Sequence, residues 1–393
     1  MKIGVVGVGG GGTALADALV AADADSSAPF LVDAVAVDTD AAALEALDGI
    51  ADDDRHLLGA VHTDGNGTAG DAGEAARIAR EERPELQAAV DSLPVGSIDA
   101  TVVCAALGGG TGAGVAPAVV DVLGQVTGTP VYVAGALPGV AEVGGDGAAA
   151  DATSDGPKRA DEEADTDGPD RPLASNAADA VGTLTASADD LVLVDPDVWR
   201  ASGASYEATW PRQDAALAER LGALFAAGEA TEPTPERVLD ASELTNTFGA
   251  DGVSVVGAAS TAVENGRRDG VVGGLLDKLG GGAEPDVDEG EAVSVAVNTA
   301  RKAVTHRLSL PCDLTSASRA AIAFHAPPGW LSRRGLERAR SLVAEETGVP
   351  EIRWGDHPDP HAESFRVTVL LSGVDDSDRL TALEQTVGAN RLV

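Results

Sequence analysis

The chain has 393 residues, 44% of them hydrophobic, and a formal net charge of −37, which is length and apolar content enough for two or more domains with their own cores. Lysine occurs only at positions 2, 158, 278 and 302, so no basic patch is available to neutralise phosphates and no nucleic-acid partner is expected. An acidic, lysine-poor surface stays hydrated in molar salt, where the Debye length is about 3 Å and self-repulsion is screened, so the composition is that of a salt-in halophile.

In chain order, Ile3 to Val8 reads as a buried strand that runs into Gly9-Gly10-Gly11-Gly12-Thr13 and a helix from Ala14 to Ala21. Gly7 to Gly12 fits Gly-x-Gly-x-x-Gly, and the next strand, Val32 to Val37, ends in Asp38-Thr39-Asp40, where an acid is placed to hold a ribose. Those two features alone support a dinucleotide-binding oxidoreductase. Gly65-Asn66-Gly67-Thr68-Ala69-Gly70-Asp71 is a further glycine turn ahead of a helix from Glu74 to Arg83. The run Ile98 to Ala106 is a second buried strand. It leads through Leu107-Gly108-Gly109-Gly110-Thr111-Gly112-Ala113-Gly114 into a helix from Val115 to Leu123, with Pro117 in its first turn. A glycine segment between a strand end and a helix start is where an open α/β sheet binds anions. The backbone comes close, N–H groups face the ligand, and the helix dipole adds positive potential. A second such cradle has no place in a dinucleotide-binding domain.

Gly-Gly-Gly-Thr-Gly-Ala-Gly resembles the phosphate signature of the tubulin/FtsZ superfamily of GTPases, which also opens with a Gly-x-Gly-Gly-x-Gly segment. The resemblance implies that Gly9, Gly10, Gly11, Gly12, Thr13 and the segment Gly108, Gly109, Gly110, Thr111, Gly112, Ala113, Gly114 hold the phosphates of GTP or GDP. It implies that Gly67, Thr68, Ala69 and Gly70 meet the γ-phosphate, and that Asp71 approaches a Mg²⁺ ion through water. Asp38 stands where the family commonly has Asn, and Ala14 where it commonly has a polar residue.

Beyond the signature, Val131 to Pro138 is another buried strand. Residues 148–171 are rich in Asp, Ala, Gly and Pro and are expected to form a disordered acidic insertion. Leu173 to Ala186 reads as a helix, Asp190 to Asp195 as the last strand of the first domain, and about Gln213 to Ala227 as a long helix leaving the sheet. The resemblance places Trp210 as a stacking partner for the base and Asp214 as an acceptor for guanine N1 and N2. A carboxylate takes two parallel donors from guanine and would meet an acceptor on adenine. Pro196 sits where relatives often carry a second base-reading Asn.

Val238 to Asn246 follows a Pro-rich break and resembles the superfamily's catalytic loop Asn-x-Asp-x-x-(Asp/Glu), with Asp240 and Glu243 in the acidic places and Val238 in place of Asn. Two carboxylates three apart can together polarise a water; in the family they serve the nucleotide of the neighbouring subunit, which implies head-to-tail self-assembly. A strand at Gly252 to Ala259 follows. Residues 264–289 are glycine-rich and acidic, and helices at about 291–308 and 332–346 with strands at 320–325, 351–354 and 365–371 give an α+β layer, ahead of a short helix from Arg379 to Val387. The segments from Leu308 to Asp313 and Leu370 to Val374, with Phe225 to Glu229 and Asp197 to Arg200, look like those of CetZ proteins, the tubulin-like group of haloarchaea. The resemblance covers nearly the whole chain except the insertion.

Cys104 and Cys312 are expected as buried structural thiols. His357 and His361 share a Pro-rich turn, which reads as a surface loop rather than a metal site. No apolar run approaches the ~20 residues of a membrane span, and the chain opens on a strand, so neither a span nor a signal peptide is expected and the cytoplasm is the expected compartment.

The expected architecture is α/β: a Rossmann-like parallel-sheet GTPase domain over 1–209, a central helix over 210–230, and a second α+β activation or polymerisation domain over 231–393. The expected function is a GTP-binding, self-assembling cytoskeletal protein in cell shape or motility, with other tubulin-like proteins as further partners. The alternatives are a degenerate member that binds nucleotide or regulates filaments with little hydrolysis, a Rossmann NAD(P)-binding oxidoreductase, and a structural filament protein that assembles without nucleotide.

Overall fold

An apolar strand without polar interruptions must be covered on both faces, because successive side chains point to opposite sides. In the computed structural model, which describes residues 1–143, 172–229, 233–264, 287–306 and 308–390 (of 386–390 the backbone alone), the strands divide in that way. On β1 (Ile3–Val8), Val6 and Val8 enter one core while Ile3 and Val5 enter the other. On β4 (Ala100–Ala106), Val103 and Ala105 take the first face and Val102 and Cys104 the second. The first face is covered by the helices Ala72–Glu81, Arg83–Asp91, Gly110–Val126 and Leu173–Ser187, and the second by Gly9–Ala24 and Trp210–Ala226.

The remaining strands are β2 (Leu31–Asp38), β3 (Arg55–Leu57), β5 (Val131–Ala136), β6 (Asp190–Val194), β7 (Val253–Ala262), β8 (Arg319–Ala326), β9 (Ile352–Pro358) and β10 (Ser364–Val374). All ten form one sheet in the order β3-β2-β1-β4-β5-β6-β7-β10-β8-β9. From β3 to β6 every pairing is parallel; β10 is antiparallel to both β7 and β8, and β8 is parallel to β9. The two halves join through a single parallel residue pair, Val192 with Ser254. The helices Glu289–His306 and Arg333–Thr347 cover one face of the antiparallel half.

Most elements read from sequence are present, with shifted ends. Two shifts matter. The helices expected to begin at Ala14 and Val115 begin at Gly9 and Gly110, so most of the supposed glycine loops are first turns of helix. Glycine disfavours helix interiors, but close packing at these positions overrides that preference. Pro117, expected in the first turn, lies inside the Gly110–Val126 helix. The strand β3 was not foreseen. The expected acidic insertion at 148–171 and most of the segment 264–289 lie outside the described residues.

The C-terminal helix Asp378–Asn390 is tied back to the first half by a buried ion pair, Arg379 Nε to Asp195 Oδ2 at 3.2 Å, with the two side chains 9% and 4% exposed. Arg379 also donates to the Pro138 carbonyl. Burial raises the Asp195 carboxyl above its ordinary range, while the Asp197 amide and Arg379 draw it back. Removing one partner of such a pair leaves a buried charge uncompensated. Arg379→Ala is expected to cost about 3 kcal/mol, and Asp195→Asn in that background to recover part of it. Thermal unfolding in molar KCl checks this; losses that simply add would show that the pair is not coupled.

Candidate functional site

β1 and β4 are adjacent and parallel, and their following helices lie on opposite faces of the sheet. The crevice outside their C-terminal ends is therefore a topological switch point. Gly9 leaves β1 with φ +70°, and a Cβ placed on it would lie 2.7 Å from the Gly112 amide nitrogen. Gly110 is crowded from the other side: a Cβ there would sit 2.3 Å from Thr68 Oγ1 and 2.9 Å from the Asp71 nitrogen. Only glycine lets these backbones approach so closely.

The two helix starts are electrically open. Neither Val8 nor Gly109 supplies a side-chain cap, and neither first turn carries an acidic residue, in a chain with 64 Asp and Glu. By contrast Asp71 caps its own helix, Oδ1 accepting from the Glu74 amide at 2.9 Å. The N–H groups of the first turns at Gly9–Gly12 and Gly110–Ala113, together with two dipoles, are thus available to an external anion.

The flanking segments close around this point. Thr13, buried, returns its hydroxyl to the Gly10 carbonyl at 3.0 Å. Thr39 Oγ1 and Thr111 Oγ1 are 2.7 Å apart, linking the end of β2 to the signature. The Gly67 amide donates to the Thr39 carbonyl. In the turn beyond it Gly67, Ala69 and Gly70 all have positive φ, at 74°, 51° and 90°; the alanine is held in a region disfavoured for residues with a Cβ. Thr68 Oγ1 is buried without a partner. Asp38 Oδ1 accepts from the Thr39 and Asp40 amides, whereas Oδ2 is buried, unpartnered and 3.8 Å from where a Gly10 Cβ would be. Burial pushes this carboxyl up to about 6.

The Trp210–Ala226 helix runs beside Gly9–Ala24 in the same direction. Its Gly222 faces Ala22 and Phe30, and its Phe225 carbonyl accepts from the Met1 amine at 2.8 Å. Its N-terminus therefore lies at the same end as Gly9. There Trp210 is 43% exposed, Asp214 is half-buried with its carboxyl pushed up to about 7 by desolvation, and the neighbouring Gln213 is buried with Oε1 unpartnered.

Asp240 and Glu243 are not part of this cluster. A Cβ on Gly228, just beyond the other end of the same helix, would lie 3.2 Å from Asp240 Cα. At ~1.5 Å per residue that helix separates the acids from the glycines by about 25 Å. Asp240 is exposed and caps Ala241–Thr245 through the Glu243 amide at 2.8 Å. Glu243 Oε1 takes Arg237 Nη2 at 3.2 Å, while Oε2 is buried and unpartnered. The turn is anchored by the Glu236 and Arg237 amides on the Asp356 carboxylate of β9.

These positions meet independent comparisons. The family description "Tubulin/FtsZ family, GTPase domain" matches residues 2–149, and "Tubulin-like CetZ, C-terminal domain" matches 203–389. Tubulin-like protein CetZ1 of Haloferax volcanii is 36% identical over 389 residues, covering 98% of this chain and 91% of the relative. The chain belongs to the tubulin-like CetZ family. Among solved structures, CetZ1 from Haloferax volcanii as a GDP-bound monomer matches with a TM-score of 0.80 at 31% identity, and CetZ2 from the same organism as a GTPγS-bound protofilament with 0.78 at 30%, each covering 100% of both chains. An FtsZ from M. jannaschii shares the fold, with a TM-score of 0.67 at 20% identity.

For this CetZ-family chain, sequence reasoning missed Asn176, whose side chain joins two of the glycine segments, and Gln213 at the start of the long helix. A polar residue on the buried face of an apolar helix was the available signal for Asn176. His357 pairs with His325 rather than His361, the rings meeting edge to face at 5.0 Å. Cys104 is buried as expected, but Cys312 is only half-buried, and both are free. Among the described residues no group of three or more His, Cys, Asp or Glu side chains could hold a metal ion, and no helix is long and apolar enough to cross a membrane.

Folding carries the Asp38 carboxyl from an ordinary 3.8 to about 6. Between those values the native chain keeps a proton that the unfolded chain has released, so stability falls as pH rises through the window and is level above it. Asp38→Asn removes this dependence. The variant is expected to exceed wild type by at most about 3 kcal/mol at pH above 7 and to match it near pH 4, in urea titrations run across pH; an equal difference at every pH would contradict the assignment.

Proposed function

We propose that the chain binds GTP or GDP at the paired helix starts and hydrolyses GTP only when copies stack head to tail. The observation that carries this reading is the separation of Asp240 and Glu243 from the glycines by the whole length of the Trp210–Ala226 helix. Stacking with translation brings the acidic end of one copy onto the glycine end of the next, as a heterologous interface requires.

In this reading the first-turn amides of Gly9–Gly12 and Gly110–Ala113 and the Thr111 hydroxyl hold the phosphates. Thr68 Oγ1 and the amides of Thr68–Gly70 receive the γ-phosphate, which supplies the partner the buried hydroxyl lacks, while the Gly67 amide stays on the Thr39 carbonyl and fixes the start of the turn. Phosphate charge raises the affinity of Asp38 for its proton, so the carboxyl serves as a donor, as the amide of an Asn would. Trp210 stacks on the base. Asp214, once ionised, accepts from guanine N1 and N2, and Gln213 Oε1 offers a further acceptor. Asp71 follows the turn proposed to meet the terminal phosphate, and a lone carboxylate of this kind suits Mg²⁺ held mainly by phosphate oxygens and water; bound there, the ion would offset phosphate charge.

Across the interface the free oxygens of Asp240 and Glu243 orient a water for in-line attack on the γ-phosphorus and take up its proton as the bond to the β-phosphate oxygen breaks. Catalysis is then mainly positioning and electrostatics. Val238, where the family resemblance places Asn, is 43% exposed in the same turn, which supports slow turnover. A cytoplasmic filament acting in cell shape or motility, alone or with other tubulin-like proteins, is the role this chemistry fits.

Asp240→Ala is expected to bind GTP as wild type does and to lose at least 100-fold in turnover, on the order of what a positioned base contributes. Gly110→Val, which fills the phosphate turn, is expected to bind no nucleotide and to be equally inactive. Mixed, the two restore activity, because an intact acidic end then meets an intact glycine end. Phosphate release from the mixture checks this; a mixture as inactive as its parts would refute catalysis in trans.

A further inference from the structure

Asn176 lies on the Leu173–Ser187 helix, 8% exposed. Its Nδ2 is 2.9 Å from the Gly70 carbonyl, 3.1 Å from that of Gly108 and 3.4 Å from that of Gly109. Three carbonyls converging on one atom fix it as the amide nitrogen, since only that end of the side chain donates. Two hydrogens serve three acceptors, so the longest contact is the weak one. Gly70 ends the turn whose left-handed Ala69 needs outside support to persist. Gly108 and Gly109 form the bend between β4 and the signature helix. A single buried amide thus joins the turn proposed to meet the γ-phosphate to the turn proposed to hold the others.

The same helix has a second neighbour. It packs on the C-terminal helix Asp378–Asn390, with Ala177, Ala180 and Leu184 buried in the core that also receives Leu383. That C-terminal helix carries Arg379, the ion-pair partner of Asp195.

We infer that Asn176 is a positioning residue that couples the presence of the γ-phosphate, through the Gly70 carbonyl and the Leu173–Ser187 helix, to the C-terminal helix of the second half. When the γ-phosphate orders the Thr68–Gly70 turn, the Gly70 carbonyl is held against Nδ2 and the helix is fixed. When the phosphate is lost the turn relaxes, the amide keeps only the Gly108 and Gly109 carbonyls, and the helix loosens against Asp378–Asn390. This inference rests on the nucleotide reading of the site and adds to it a route by which nucleotide state reaches a surface outside the site.

The test is titration of the full chain with GTPγS and with GDP in molar KCl and Mg²⁺, for wild type, Asn176→Ala and Asn176→Asp. Coupling predicts that both variants lose about tenfold more affinity for GTPγS than for GDP, one hydrogen bond's worth of discrimination. Equal loss for the two nucleotides, or no loss, would reduce Asn176 to a structural residue and overturn the inference while leaving the nucleotide site standing. Wild type that binds neither nucleotide would remove the site reading and this inference together. Should the variants fail to fold, hydrogen exchange on wild type decides: slower exchange over 173–187 and 378–385 with GTPγS than with GDP is expected, and identical protection would refute the coupling.

Discussion

A side chain on Gly9 would run into the Gly112 backbone and one on Gly112 into the Ala106 carbonyl, and most of the functional architecture depends on that close approach. It brings the starts of two helices from opposite faces of the sheet to one point. Because the first turns are built of small residues, no side chain caps them, and no acid neutralises them. Eight first-turn amides and two helix dipoles then stand beside one crevice, where the natural occupant is a polyanion. Thr39, the Thr68–Gly70 turn and Asn176 are arranged around that point, each bonded to one of its neighbours.

The second constraint is length. The Trp210–Ala226 helix runs parallel to Gly9–Ala24, so one end stands beside the glycines and the other reaches the Met1 amine, Glu229 and the turn carrying Asp240. A rigid rod of that kind keeps the two ends apart within a chain. In the proposed reading the acidic turn therefore serves another molecule, and the single residue pair between β6 and β7 leaves the rod and the buried Arg379–Asp195 pair as further ties between the halves.

Much of this was legible in the residues. The apolar, β-branched runs Ile3–Val8 and Ile98–Ala106 and the Gly-Gly-Gly-Thr-Gly-Ala-Gly signature pointed to the α/β fold and the crevice at its strand ends, and the Asp240–Glu243 spacing to the chemistry proposed above. What failed was local: glycine clusters read as loops because propensity is a local quantity, whereas here the absence of side chains is what lets helices start in contact. Pro117 inside a helix is a similar override. Asn176 was missed although it is a polar residue on the buried face of an alanine-rich helix, because its partners, Gly70 and Gly108, are far away in sequence and nothing local says what it bonds to. His325 and His357 come together for the same reason, across the parallel pairing of β8 with β9.

A net charge of −37 opposes the proposed stacking of copies. In molar salt the Debye length of about 3 Å removes the long-range part of that repulsion and leaves contact complementarity to decide. The central claim, that the catalytic site exists only between copies, is tested most directly by the GTP hydrolysis rate per molecule as a function of protein concentration in molar KCl. The account predicts a rate near zero in dilute solution that rises with concentration and levels off as assembly saturates. A rate per molecule that is the same at every concentration would contradict it.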